Sequence, residues 1–455
     1  MTKPEWNCFV RNGTDSESPR HSDFGFHLSL GISSFVIPAS FLCFFACFSN
    51  TALSSEAPPA IAPVGDNFTI GVYYSMPSVS KQDTFGWEYA FMDMARHGVT
   101  FIVTSGNTYA NQWSAIKRWG MKGVTAYGEL NAYHGPGQWS REKMLPGIEE
   151  IRGLRDGYVW NGEYVGDAVL GHVMVDEPEC SGKTEDQQDF LRAWADTYHD
   201  LNPTRSAYVN HCDPPWFDLH QKVFSCSVGA TICVNGHRIV ERVNEAKKLG
   251  GDGMDLVALS GSLGGWIAPK CENVNYYGFG PCSEEVQEWL KDRNIYQDVY
   301  EELIAAYAFG ADGYRVFLYN FASGYAVAMV ETNGIGKADG RWDAFGDAAD
   351  DVRRSQAWPG VKLLMDGKPF EDRGAYPAGE LRLTAQAVSD SGMIAQVMFG
   401  KSTNGGSDWK SIEDDTAPYE ATFPAGAGET IIFRAQAKDT DGKKSIYAAN
   451  MIYVD

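Results

Sequence analysis

Residues 171–179 read Gly171-His172-Val173-Met174-Val175-Asp176-Glu177-Pro178-Glu179. An apolar run ends here in three carboxylates and a proline. Val169 to Val175 has the β-branched, apolar character of a strand buried on both faces, as in a parallel sheet. Pro178 has no N–H to give to a sheet ladder, so it closes the strand. Asp176 and Glu177 therefore fall just past the carboxyl end, the rim at which parallel α/β folds bind their ligands. Charge beside a core is costly unless it is paired or used, so two adjacent acids here point to catalysis or substrate binding. The competing reading is a helix N-cap, with Asp176 or Glu179 facing the amides of a helix that begins near Thr184.

Outward from this strand, strand and helix patterns alternate. Strands are expected at 67–74, 99–104, 123–127, 206–210, within 224–234, at 254–259 and at 313–319. Helices are expected at 87–97, 111–119, 141–155, 186–199, 238–249, within 284–309 and at 342–354. Eight β/α units in about 300 residues indicate a closed (β/α)8 (TIM) barrel over 67–365. An open doubly wound sheet is the alternative. The first strand is not followed by a Gly-rich phosphate loop, which argues against a nucleotide-binding version.

The period changes near Pro369. Gly379–Val388, Met393–Phe399 and Glu429–Ala437 alternate with period two between Gly-, Asp- and Asn-rich turns, the pattern of a small all-β sandwich over 369–455. Val388-Ser-Asp-Ser-Gly392, Asp415-Thr-Ala-Pro-Tyr419 and Ala437-Lys-Asp-Thr-Asp-Gly442 resemble the bacterial immunoglobulin-like domains appended to secreted enzymes. That resemblance implies a spacing or stabilising role, with glycan binding as a further option.

The chain has 455 residues, enough for two domains, and its 44% hydrophobic content supports a large core. A net charge of −21 argues against a nucleic-acid partner, because phosphate binding requires basic surface. Its 13 Trp and 22 Tyr suit sugar stacking as well as core filling. Residues 28–48 form the long apolar stretch, after Lys3, Arg11 and Arg20 and before the small-residue tripeptides Ala52-Leu53-Ser54 and Ser55-Glu56-Ala57. We expect an export signal over 1–57 with a long polar front, a Pro/Ala linker over 58–66, and a secreted, periplasmic or cell-surface mature chain acting as a monomer. A retained membrane anchor is the alternative, since the run could just span a bilayer. Six cysteines remain after cleavage, of which Cys271 and Cys282 are the best candidate disulfide pair. No CxxC or HExxH spacing suggests a zinc site, and no cofactor is expected.

In a closed barrel the strand ends converge on one pocket. The polar residues there are Tyr74, Ser75, Ser105, Glu129, Asn131, Asp176, Glu177, Asn210, His211, Ser260, Ser262, Tyr319 and Asn320. The set is centred on carboxylates. Such pairs suit glycoside hydrolysis, in which one acid protonates the leaving oxygen while a second group handles the cationic anomeric carbon. Glu177 is the expected general acid and Asp176 its partner. Glu129, Asn131, Asn210, His211, Tyr319, Asn320 and Tyr74 are the expected substrate-binding residues. Each has a structural alternative: a loop charge for Glu129, a satisfied core histidine for His211, barrel filling for Tyr319.

Leu170-Gly-His-Val-Met-Val-Asp-Glu-Pro178, then Asn202-Pro-Thr-Arg205, then Ala311-Asp-Gly-Tyr-Arg-Val-Phe-Leu-Tyr319 resemble (β/α)8 glycoside hydrolases of the clan-A type. In that clan the fourth strand ends in the Glu acid/base, a role the resemblance assigns to Glu177. The clan's nucleophile is a Glu ending the seventh strand. Leu256-Val-Ala-Leu-Ser-Gly-Ser-Leu-Gly264 has no carboxylate there. Asp176-Glu177 also resembles the Asp-Glu pairs of hexosaminidases in which the substrate's 2-acetamido group attacks, the Asp orients it and the Glu is the acid. Tyr319 is then a candidate partner for the acetamide oxygen. An inverting enzyme with Glu129 or Asp176 as base is a third scheme, and Glu331 could also reach in. Outside catalysis, the alternatives are a carbohydrate-binding barrel without a nucleophile and a metal-assisted hydrolase built on Asp176, Glu177, Glu179 and His211. Polyanionic sugars are disfavoured by the acidic surface, unless Arg205, Lys270 or Arg315 forms a local basic pocket.

Overall fold

The computed structural model describes residues 68–74, 84–105, 108–126, 133, 135–176, 178, 184–211, 220, 223–224, 228–234, 239–250, 256–260, 294–317, 319, 340–390, 392–406 and 408–455. The export signal, the anchor alternative, the linker and the Cys271–Cys282 pair lie outside the described residues. Among the described residues, no helix is long and apolar enough to cross a membrane.

The barrel begins with β1 (Thr69–Tyr74), β2 (Phe101–Ser105) and β3 (Lys122–Ala126). A short hairpin, β4 (Val159–Trp160) and β5 (Glu163–Tyr164), precedes β6 (Val169–Asp176). The barrel continues with β7 (Ser206–His211), β8 (Val228–Val234), β9 (Leu256–Ser260) and β10 (Gly313–Val316). The eight barrel strands are parallel, and β10 pairs back onto β1 to close the ring. Helices α1 (Thr84–Arg96), α2 (Ala110–Arg118), α3 (Arg141–Asp156), α4 (Glu185–Leu201), α5 (Ile239–Gly250), α6 (Ile295–Ala308) and α7 (Arg341–Ser355) lie between and after the strands. The closed parallel ring settles the choice between barrel and open sheet. The expected strands and helices fall on the observed ones to within a few residues. The hairpin went unread because its two-residue strands are too short to show a period.

Strand alternation sorts side chains into two layers. Tyr73, Phe101, Val103, Val124, Val173, Tyr208 and Val257 pack together inside the ring, with Phe317 against them. Their neighbours Ile70, Val72, Tyr74, Ile102, Ala258, Tyr314 and Val316 pack outward, in one cluster with helix residues such as Phe91, Trp113, Leu303 and Phe345. Fully burying each large apolar side chain stabilises by roughly 1.5–3 kcal/mol. On β6 a register irregularity between Val173 and Val175 shifts the alternation, and it brings Asp176 level with Asn210. Such bulges re-aim side chains at functional rims.

The C-terminal part is all-β. One sheet runs β12 (Lys368–Pro369), β11 (Gly360–Met365), β14 (Gly379–Val388), β17 (Tyr419–Ala425). The other runs β13 (Ala375–Tyr376), β19 (Ala448–Val454), β18 (Thr430–Asp439), β15 (Ile394–Ser402), β16 (Lys410–Asp414). Leu363, Leu383 and Phe423 of the first share a core with Phe399, Phe433 and Ile452 of the second. Gly360–Met365, assigned from sequence to the end of the barrel, is a strand of this domain, antiparallel to β14. The Gly-Val-Lys-Leu-Leu-Met run was misplaced because only Gln356-Ala-Trp-Pro359 separates it from the last barrel helix.

The two parts share a buried interface. Arg434 of β18 lies over the rings of Trp409 (3.8 Å), Tyr447 (4.7 Å) and Trp119 (5.7 Å), and its Nη1 donates to the Arg118 carbonyl at 3.1 Å. Beneath it Glu88 of α1, wholly buried, accepts from Trp119 Nε1 (2.9 Å) and Arg118 Nη2 (3.0 Å). Burial pushes its carboxyl up to about 7 against the pull of Arg118. Asp372 accepts from Tyr89 (2.8 Å) and pairs with Arg96 (3.1 Å), both on α1.

Candidate active site

The carboxyl ends of β1, β6, β7 and β8 bring together a polar row. In register, Asp176 pairs with Asn210 and Asn210 with Thr231, so the three are lateral neighbours on consecutive strands. Asn210 is buried and accepts a hydrogen bond from Tyr73 across the barrel at 3.0 Å. Tyr73 in turn packs edge-on against Phe317. The strand reading placed Asp176 just past the carboxyl end of a barrel strand, and β6 ends one residue later than expected, at Asp176 itself. Its side chain, and Glu129, Asn131, Glu177 and Asn320, lie outside the described residues, as do Ser75, Ser262 and Glu331.

The helix-cap alternative for Asp176 and Glu179 has another occupant. Thr184 caps α4: its hydroxyl accepts from Gln187 N at 3.2 Å, and Gln187 Oε1 accepts from Thr184 N at 3.0 Å. This capping box satisfies the end of the helix without a carboxylate.

Three expected substrate ligands face away from the barrel interior. Tyr74 points to the helix layer, edge-on to Phe91 and Tyr319 at 5.5 and 5.9 Å. The inward tyrosine of β1 is its neighbour Tyr73, which the sequence reading passed over. Ile70 and Val72 fix the outward parity of the strand, and that was the signal available. Tyr319 is buried, and its hydroxyl donates to Asp93 Oδ2 of α1 at 2.6 Å beside Trp342. It packs in the helix layer, a structural place like its barrel-filling alternative but outside the ring.

His211 follows inward-facing Asn210 and so lies in the outer layer, 3.0 Å from His220. His220 Nε2 is 3.0 Å from the Val228 carbonyl, which can only accept. That nitrogen therefore carries the proton, His220 Nδ1 accepts, and His211 Nε2 donates. Burial, then His211, pushes His220 down to about 3, so His220 stays neutral.

The candidate basic residues separate as well. Arg205 donates to the Val169 carbonyl at 2.7 Å, at the amino end of β6 and far from the rim. Arg315 is inside the ring, fully buried, over Phe101 (4.1 Å) and Tyr208 (4.9 Å), with Nη1 3.3 Å from Thr231 Oγ1. Lys270 lies outside the described residues.

Two features of the surroundings were not read from sequence. Asp186, in the first turn of α4, accepts from Tyr133 (2.5 Å) and Trp139 (3.1 Å), tying the segment after β3 to the helix after β6. Asp93, fully buried, accepts from Tyr319, Trp342 Nε1 (2.8 Å) and Arg96 Nε (2.8 Å). Burial opposes its ionisation, but Arg96 and His97 beside it hold the carboxyl well below its ordinary value. Among the described residues, no group of three or more His, Cys, Asp or Glu could hold a metal.

No protein-family model matches the chain, and no curated protein does. The chain is similar to several solved structures at low identity. An endo-β-1,4-mannanase from Thermotoga petrophila matches at TM-score 0.42 and 8% identity, over 86% of this chain and 99% of its own. A family 39 glycoside hydrolase from Bacteroides cellulosilyticus matches at 0.44 and 10%, over 79% and 81%. An endocellulase from Pyrococcus horikoshii, in complex with cellotetraose, matches at 0.41 and 10%, over 62% and 93%. Likeness at this level carries no inference about what this chain does.

Proposed function

We propose that this chain is a secreted glycoside hydrolase that cleaves O-glycosidic bonds of an oligo- or polysaccharide, with Glu177 as general acid and Asp176 as the second carboxylate. The observation that carries this is the end of β6. The strand stops at Asp176, at the carboxyl end of a parallel barrel and level with inward-facing Asn210, and Glu177 is the next residue. Glu177 protonates the leaving oxygen. Asp176, as an anion, orients the internal nucleophile of a 2-acetamido sugar or acts as base toward water. The seventh barrel strand, β9, carries Leu256-Val-Ala-Leu-Ser260 with no acid, which favours schemes that need no enzymic nucleophile there. Asn210 and Tyr73 form the polar floor against which a sugar hydroxyl or acetamide would bond. The acidic chain and the export signal expected over 1–57 are the reasons for proposing an extracellular neutral sugar as substrate.

The test is Glu177→Gln, assayed for reducing-sugar release on a glycan panel and for binding of the same glycans by calorimetry. Loss of release with binding retained supports the enzyme. Binding with no release by either the parent or the variant supports the non-catalytic carbohydrate-binding barrel, and release that Glu177→Gln leaves unchanged contradicts Glu177 as the acid.

A further inference from the structure

Arg315 is a cation set inside the barrel. On β10 it alternates with Tyr314 and Val316, which pack outward, and it has no exposed surface. A guanidinium keeps its proton in proteins, so burial cannot remove the charge. A buried charge is strongly disfavoured unless it is paired. Among the described residues, the groups against this guanidinium are the Phe101 ring at 4.1 Å, the Tyr208 ring at 4.9 Å and the Thr231 hydroxyl at 3.3 Å, and none is anionic.

What is paired and what is not follows a pattern. Nη1 is tied to Thr231 Oγ1, and two aromatic rings pack against the head. The stem is fixed at Gly71 of β1, where a Cβ would lie 3.1 Å from Arg315 Cγ and 2.9 Å from the Phe101 carbonyl oxygen. Nε and Nη2 are buried with no hydrogen-bond partner among the described residues. These two are the adjacent donors along one edge of the planar fork, the edge that grips an anion with two parallel N–H bonds. The side chain is therefore held in place at its stem, its rings and Nη1, while its anion-gripping edge meets no acceptor from the protein.

We propose that the barrel interior binds one small inorganic anion, a halide such as chloride, on the Nε–Nη2 edge of Arg315. Size selects this class. The Tyr73–Asn210 hydrogen bond lies one inward position nearer the carboxyl ends of β1 and β7 than Gly71 and Tyr208. A sugar carboxylate arriving from the rim would meet that bond first, and Val103, Val173 and Phe317 pack in the same interior cluster. A monatomic anion needs the least room and still takes both donors. Bound there, it neutralises the guanidinium beneath the Tyr73–Asn210 pair and stabilises the folded chain by mass action. The site requires nothing of the glycosidase reading, and its test uses no substrate.

The experiment follows urea unfolding of the full chain at constant ionic strength while chloride replaces isethionate, a bulkier anion. The expected result is a saturable rise in stability, about tenfold in the folding equilibrium constant once chloride reaches about ten times its dissociation constant. Bromide substitutes for chloride, and crystals grown in bromide show an anomalous peak in contact with Arg315 Nε and Nη2. Arg315→Met loses the halide dependence. Thr231→Val, which keeps the charge but unties Nη1, weakens halide affinity several-fold, and with the parent chain it carries the test if the methionine variant does not fold. Parent stability indifferent to halide overturns the proposal, as does equal halide dependence in Arg315→Met. Bromide found on the surface alone, an adventitious ion only, overturns it as well.

Discussion

Tyr73 and Asn210, 137 positions apart, meet across the barrel through a 3.0 Å hydrogen bond in which the phenol donates to the amide oxygen. The bond joins the first barrel strand to the fifth at the level where β6 presents Asp176. Under the proposed function, the two residues form a rigid floor for the sugar.

Removing the donor should therefore affect both fold and turnover. Tyr73→Phe takes away one bond to a buried acceptor, a loss of about 1 kcal/mol or more. Misplacing Asn210 should also lower kcat about tenfold or more, because positioning errors at a reacting centre are amplified. Tyr74→Phe, in the outer layer, should leave turnover unchanged. Parallel kcat and urea-midpoint measurements on the two variants check this, and equal effects on turnover would contradict the inward–outward assignment.

Stability should fall as pH rises from about 4.5 to about 7, through Glu88. Its folded-state value, about 7, lies above the ordinary carboxylate value. The folded protein therefore holds a proton that the unfolded chain releases, and that contribution is lost as pH rises through the folded value. Glu88→Gln should flatten this part of a Tm-against-pH curve.

A second decline belongs to His97. Burial opposes its charged form, but Asp93 and then Asp343 raise it to about 9. Its contribution is full below about 6.5, the unfolded value, and is lost as pH rises through 9. Asp93→Asn should abolish that alkaline decline. It should also cost about 3–5 kcal/mol at neutral pH, because Arg96 and His97 lose their buried partner. Chemical denaturation at pH 6, 7.5 and 9 reads both effects.

The β-domain should not be dispensable. Ile432, Ala449 and Met451 belong to the same buried cluster as the barrel's helix layer, and Trp409 and Tyr447 pack against it. A chain ending at Gln356 exposes that face of α1 and α2 and strands Glu88 without Arg434 nearby. It should aggregate or melt well below the full chain in a thermal shift assay. Arg434→Ala in the full chain should reproduce part of the loss.

The barrel was legible because each of its strands is a compact apolar run and each helix has a clear stripe. The carboxyl end of β6 was legible for the same reason: Val169–Val175 is apolar and Asp176 is not. Facing was harder. Tyr73 and Tyr74 are adjacent aromatics in a strand buried on both sides, so hydrophobicity cannot rank them and only parity with Ile70 and Val72 separates them. Asp93 accepts from Tyr319, 226 positions away, and from Trp342. No local pattern announces a contact of that kind. Arg315 was one candidate for a local basic pocket, and nothing in Gly313–Val316 but its alternation with Tyr314 and Val316 marks it as facing the barrel interior.

The most direct test of the central claim is the leaving-group dependence of Glu177→Ala. A general acid matters most when the departing oxygen is a poor leaving group. The variant should lose several orders of magnitude in kcat/KM on natural glycosides or methylumbelliferyl glycosides, and far less on dinitrophenyl glycosides of the same sugar, whose leaving group departs unprotonated. It should also lose the alkaline limb of the pH–rate profile. An equal loss on both substrate classes with the alkaline limb intact would contradict the assignment of Glu177 as the acid.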